Sequence, residues 1–284
     1  MHLSRKAVFC PLLFYIRFVP LGGMEIKMKL CFSNLFCMDM SAAELTKLCS
    51  RHNIDGVELR TDNNGDFPYS NELNIVDIGT GVCFKHYSQK LIDDAKAVLD
   101  KIENTGIKAI RVFLGNFARR YDDKTQMLDH CGIVKALKEL CDYTKKEIWV
   151  ETHNEYATGK VLKKLISEVD RDNLKIIWDI VHPVEDGEDY LTTFELIGKY
   201  VAHVHIKDAL PHDDKIWHDY KYDKLGCGIL PIKEIVTLLN NSGYNGYFSL
   251  EWESLWREEL SKLELSADEI LCEFVKYMND IEQN

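Results

Sequence analysis

EIWVETHNEYATGKVLKKLISEVDRDNLKIIWDIVH, residues 147–182, is the stretch whose reading decides the fold. Glu147–Glu151 is a short β-rich run, Val161, Leu162, Leu165 and Val169 recur at helical spacing, and Leu174–Asp179 is β-rich again. A strand, an amphipathic helix and a second strand within roughly 30 residues have the size of one βαβ unit. Both strands end on a carboxylate, Glu151 and Asp179.

The same alternation continues outward in both directions. Upstream, Lys29–Asn34 reads as the first strand, and a helix carrying Leu45, Leu48 and Cys49 opens at Ser41 with Glu44 at capping-box spacing. Gly56–Arg60 is a second strand, followed by the turn-rich Thr61–Tyr69. A third apolar run, Leu73–Gly79, leads to a helix through Leu91, Ile92, Ala95, Val98, Leu99 and Ile102 that stops near Thr105-Gly106. Lys108–Leu114 is the fourth strand, with a helix through Met127, Cys131, Val134, Leu137 and Leu140. Downstream come a helix near Leu191–Lys199, a strand at Val201–Ile206 and a long loop, Asp208–Leu230. Then follows a helix with Pro231 early in its first turn and Gly243 beyond its end. Tyr247–Glu251 is the eighth strand. The closing helix has capping-box spacing from Ser266 to Glu269 and carries Ile270, Leu271, Phe274, Val275 and Met278. Eight such units predict an α/β chain folded as a single closed (β/α)8 barrel, the TIM barrel. An open doubly wound sheet would place a glycine-rich phosphate turn after an early strand. The first turn here, Phe36-Cys37-Met38-Asp39, contains no glycine.

The 284 residues, 46% hydrophobic and 29% charged, suit one soluble barrel, spanning residues 28–284. A net charge of −11 argues against a nucleic-acid partner, which demands basic surface. None of the nine cysteines forms a C-x-x-C pair, which fits a reducing, cytoplasmic setting rather than a disulfide framework or thiolate zinc site. Residues 1–27 read as an extension upstream of a start at Met24 or Met28. Arg17 and Pro20 interrupt its apolar run, which is too short to span a membrane.

In a parallel barrel, chemistry gathers where the strands end. Strands five to eight end at Glu151, Asp179, His205 and Glu251, and from one residue to the next the spacings are 28, 26 and 46 residues. Three carboxylates converging on one rim repel unless a cation or protons compensate, and a divalent ion with oxygen and nitrogen ligands is the economical solution. His203 and His205 share strand parity, and His205 is preferred as nearer the rim. His182 follows Asp179 by one short turn. Lys207 has the parity of His205, and His153 that of Glu151, so both become candidates for substrate oxygens. Glu58 is a further candidate, with a buried ion pair to Arg60 or Arg111 as its alternative reading.

These phrases resemble the sugar-phosphate isomerase/epimerase group of xylose isomerase-like barrels. The likeness rests on Gly56-Val57-Glu58-Leu59-Arg60, Val150-Glu151-Thr152-His153, Trp178-Asp179-Ile180-Val181-His182, His203-Val204-His205-Ile206-Lys207-Asp208 and Gly243 to Glu251. It implies that Glu151, Asp179, His205 and Glu251 bind one divalent ion, manganese, cobalt, magnesium or zinc, and that His182 touches substrate. The implied chemistry is proton transfer beside a carbonyl through an enediolate, with Glu151 and Glu251 as base and acid. Its substrates would be a sugar, a sugar phosphate or an inosose, and the resemblance allows a homodimer. Two departures concern the substrate. Pro211 and His212 stand where free-ketose 3-epimerases carry an arginine, and Gly226-Cys227-Gly228 replaces a common Gly-Glu-Gly. Three other readings are an inosose-type dehydratase on the same site, a sugar-binding barrel without catalysis, and an apurinic-site endonuclease. The last needs three zinc ions and histidines on earlier strands, which Ile107–Leu114 lacks.

Overall fold

The computed structural model describes residues 27–62, 65–116, 128–212 and 220–283. The expected N-terminal extension therefore lies, apart from Lys27, outside the described residues, as do Met127, Asn63 and Asn64. The chain runs β1 (Lys29–Ser33), α1 (Ala42–His52), β2 (Gly56–Arg60), β3 (Ile75–Phe84), α2 (Gln89–Ile102), β4 (Ala109–Leu114), α3 (His130–Tyr143), β5 (Glu147–Glu151) and α4 (Gly159–Val169). It continues through β6 (Leu174–Asp179), α5 (His182–Glu185), α6 (Tyr190–Ile197), β7 (Val201–Ile206), β8 (Asp208–Pro211), β9 (Tyr220–Asp223), α7 (Ile232–Asn241), β10 (Tyr247–Leu250), α8 (Glu258–Ser261) and α9 (Ala267–Glu282). Eight parallel strands close in the order β1-β10-β7-β6-β5-β4-β3-β2, so the expected (β/α)8 barrel is the observed fold. Among the described residues, no helix is long and apolar enough to cross a membrane.

Local chemistry explains the helix starts. The side chains of Ser41 and Ser266 accept from the backbones of Glu44 and Glu269, whose carboxylates return the bond to the serine amides. Two elements differ from their sequence reading. β3 runs five residues past Gly79, because Thr80 carries the pairing over a register shift: its hydroxyl donates to the Arg111 carbonyl at 2.7 Å and accepts from Val82 N–H at 3.2 Å. The expected loop Asp208–Leu230 contains an antiparallel hairpin, β8 on β9. Its anchor is the Asp208 carboxylate, which accepts from the amides of Ala209, Gly226, Gly228 and Leu230 at 2.8–3.1 Å. A β-carbon on Gly228 would overlap that carboxylate, so glycine is required there by space.

The main core lies between the outer faces of the strands and the helices. Inside the barrel, Cys31, Val76, Ala109, Trp149 and Ile177 make a small apolar floor. Above it the interior is charged: Glu58, Asp77, Arg111, Glu151, Asp179, His203 and His205 are all buried. Withdrawing such groups from water costs several kcal/mol per ion unless they are paired, so this layer reflects chemistry rather than stability.

Candidate metal centre

The ends of four adjacent strands build the centre. Glu151 closes β5 and Asp179 closes β6, while His205 lies in β7 and Glu251 directly follows β10. One potential ligand atom from each comes together, all within 4.8 Å of one another, and all four residues are buried. The sequence expectation that these four converge is thus met by the geometry; their role as ligands is taken up below.

Neighbouring groups aim each side chain. Thr152 ties the ends of β5 and β6 together, its hydroxyl donating to the Asp179 carbonyl at 3.0 Å and accepting from the Asp179 amide at 2.8 Å. Asp179 Oδ1 accepts from Val181 N–H at 2.9 Å, which leaves Oδ2 toward the centre. Arg111 donates to Glu151 Oε2 at 3.1 Å from the β4 side. Glu58 reaches across from β2 to within 2.8 Å of His205 Nε2. In the neutral ring with Nε2–H donating to Glu58, Nδ1 would turn its lone pair toward Glu151, Asp179 and Glu251. A carboxylate behind the imidazole is the usual way of fixing tautomer and ring orientation at a metal site. His203, one layer down, stacks on Trp149 and lies 3.3 Å from the same Glu58 oxygen. Glu58 thus has imidazole partners rather than the expected alternative of an arginine, and Arg111 pairs with Glu151 instead.

Lys207 is drawn into the centre. Its ammonium lies 2.6 Å from Asp179 Oδ2, 2.5 Å from Glu251 Oε2 and 3.1 Å from Glu253 Oε1. His182 stands beside it, with Nε2 3.6 Å from Asp179 Oδ2 and Nδ1 bound to Glu185 at 2.8 Å. His153 packs edge-on against His182, their ring centroids 4.5 Å apart. All the residues singled out from sequence therefore border one buried cluster, with Glu58 behind His205. Sequence reasoning missed Glu253, which holds Lys207 and Arg257. It also missed Arg111 as the partner of Glu151, although a lone arginine inside the apolar run Ala109–Leu114 was a signal.

The protonation pattern follows from these contacts. Burial would lower the His205 pKa, but the carboxylates of Glu251, Glu58 and Glu151 raise it well above the ordinary imidazole value, so without a cation the ring holds both protons and a bound ion would displace the one on Nδ1. Burial likewise opposes the charge on Lys207, and Asp179, Glu251 and Glu253 prevail, holding it firmly protonated. For Glu151, burial and Glu251 push up while Arg111 and His205 pull down, leaving it at about 2. The His153 pKa falls to about 3 through burial and the neighbouring His182, so that ring is neutral.

These residues fit a divalent ion. Asp179 Oδ2, Glu251 Oε2 and His205 Nδ1 are buried and make no well-directed hydrogen bond. The Lys207 ammonium, 2.6 Å from Asp179 Oδ2 and 2.5 Å from Glu251 Oε2, and the His205 ring, 3.2 Å from Glu251 Oε2, supply the positive charge that an ion would replace. Three carboxylates and one imidazole form a mixed oxygen and nitrogen set of the kind that holds zinc or manganese.

Comparison with known proteins agrees with the fold. The sequence profile of the xylose isomerase-like TIM barrel family matches residues 38–268. An inosose dehydratase of Lacticaseibacillus casei is 25% identical over 151 residues, which are 47% of this chain and 51% of that protein. The match thus spans about half the length of that curated relative. Among solved structures, the IOLI protein with a binding zinc atom superposes with a TM-score of 0.71 at 20% identity, covering 89% of this chain and 98% of that one. The 3-keto-D-glucoside 4-epimerase of E. coli gives 0.64 at 18% identity, covering 91% and 100%.

Proposed function

The chain belongs to the xylose isomerase-like TIM barrel family, and on that premise we propose that it is a divalent-metal-dependent isomerase or epimerase of a small hydroxy-ketone, a sugar, sugar phosphate or inosose. The observation that carries this is the convergence of Glu151, Asp179, His205 and Glu251 at a buried point at the open end of the barrel. These four residues would hold the ion. When bound, it would polarise the substrate carbonyl and stabilise negative charge developing there.

The chain's own residues supply the rest. One of Glu151 and Glu251 takes the proton beside the carbonyl, and the other returns one to a neighbouring carbon or the opposite face. Arg111 keeps Glu151 ionised and in place. Lys207 lies against Glu251 and within reach of a substrate oxygen. His153 and His182 form the polar wall for substrate hydroxyls. Replacing Glu251 by Gln is expected to leave the fold intact and abolish exchange of a substrate C–H proton with deuterated water. Undiminished exchange in that variant sinks the acid/base role.

A dehydratase is the second reading, favoured by the similarity to inosose dehydratase. It begins with the same proton removal and then loses hydroxide. Product analysis separates the two: an unsaturated product one water lighter than substrate supports the lyase, and an isomeric product the isomerase.

A further inference from the structure

Arg60 is the last residue of β2 and shares strand parity with Glu58, so it rises on the inner side of the barrel about 6–7 Å beyond Glu58 toward the open end. Space is made for it by Gly79 on β3. A β-carbon there would come 2.7 Å from Arg111 Nη2 and 3.0 Å from Arg60 Cδ. The two arginines thus share one notch, yet they are treated differently. Arg111 has Glu151. Arg60 makes no ion pair and donates no side-chain hydrogen bond among the described residues. Its guanidinium carbon lies instead near two aromatic rings, 6.0 Å from the centre of Phe113 and 5.9 Å from that of Trp256. Trp256 is 60% exposed, which marks this as the mouth of the site.

A largely withdrawn guanidinium beside a second one needs a counter-charge. Burial and Arg111 pull its pKa down to about 10, and Glu251, Glu58 and Glu151 offset this only at a distance. Once a divalent ion neutralises Glu151 and Glu251, even that compensation shrinks. A planar fork of donors beside aromatic rings, with no carboxylate of its own among the described residues, suits bidentate binding of a carboxylate or phosphate.

We propose that Arg60 forms an anion subsite at the barrel mouth, which reads a carboxylate or phosphate on the substrate while the carbonyl end meets the four-residue centre below. The second half of this statement rests on the proposed reaction; the anion subsite itself does not. The test is calorimetric titration of manganese-loaded protein with dihydroxyacetone and D-fructose, against dihydroxyacetone phosphate, D-fructose 6-phosphate and hydroxypyruvate. In the natural protein, anionic probes should bind roughly tenfold or more tightly than neutral ones. Arg60→Gln should erase that preference, and Arg60→Lys, which keeps the charge, should retain part of it. Whichever of the phosphate and carboxylate probes gains more identifies the anion. Equal affinities, no binding by any probe, or a preference that survives Arg60→Gln overturns the proposal. Deuterium exchange on the same samples keeps the two ideas apart: selective anion binding without exchange upholds the subsite and sinks the reaction.

Discussion

Replacing Glu58 by Gln probes the hydrogen bond behind His205. The carboxylate oxygen lies 2.8 Å from Nε2, and both side chains are wholly buried. With an ion bound, Nε2 would donate to Glu58 and leave Nδ1 a lone pair on the side of Glu151, Asp179 and Glu251. A glutamine amide can donate to Nε2 instead, favouring the tautomer with its proton on Nδ1. That proton would sit where coordination is required, 3.2 Å from Glu251 Oε2. Loss of such a partner weakens metal binding by about 10–100-fold, or roughly 1.4–2.7 kcal/mol. The upper half of that range is expected, because a buried negative charge beside the cation is lost as well. Gln matches Glu in volume, so the fold should persist. The assay is competition for Mn2+ or Zn2+ against a chromophoric chelator. Asp77→Asn serves as the control, since its buried carboxyl makes no hydrogen bond and burial and Glu58 already push its pKa well up. Affinity in Glu58→Gln within about twofold of the natural protein refutes the assigned role of Glu58.

Three further outcomes concern the scaffold. Asp208→Ala removes the acceptor of four backbone amides and should cost about 2–4 kcal/mol, with faster hydrogen exchange at Gly226, Gly228 and Leu230; unchanged exchange there contradicts the anchoring role. Ser266→Ala removes the cap of α9 and should cost about 1 kcal/mol, read as a melting temperature lower by roughly 2–4 °C; an unchanged melt counts against the cap. At pH 8, iodoacetamide should label the exposed Cys131, Cys227 and Cys272 on the native protein, and Cys37 and Cys141 at least ~100-fold more slowly, because burial raises those two thiols to about 12 and the thiolate is the nucleophile. Labelling at similar rates contradicts that burial.

The barrel was legible because alternating strand and helix periods survive in local sequence, and the strand-end rule then pointed to Glu151, Asp179, His205 and Glu251. Their convergence needed only the topology. What escaped depends on side-chain direction across the barrel. Glu58 meets His205 over a separation of 147 residues, and nothing local to Gly56–Arg60 indicates that partner. Lys207 was assigned to substrate by parity, but only coordinates show its ammonium against Asp179, Glu251 and Glu253. The extension of β3 through Gly79-Thr80-Gly81 was hidden because glycines punctuate sequence, whereas here Gly79 is small to admit two arginines. The hairpin was hidden because β8 and β9 are only four residues each and Pro211 punctuates β8, although Tyr220-Lys221-Tyr222-Asp223 alternates with the period of a strand.

The central claim is that Glu151, Asp179, His205 and Glu251 hold one divalent ion, and elemental mass spectrometry of protein purified without chelator tests it most directly. The account predicts about one ion per chain, lost in a folded Asp179→Ala variant. No ion in the natural protein even after manganese, cobalt or zinc is supplied, or full retention in Asp179→Ala, contradicts it.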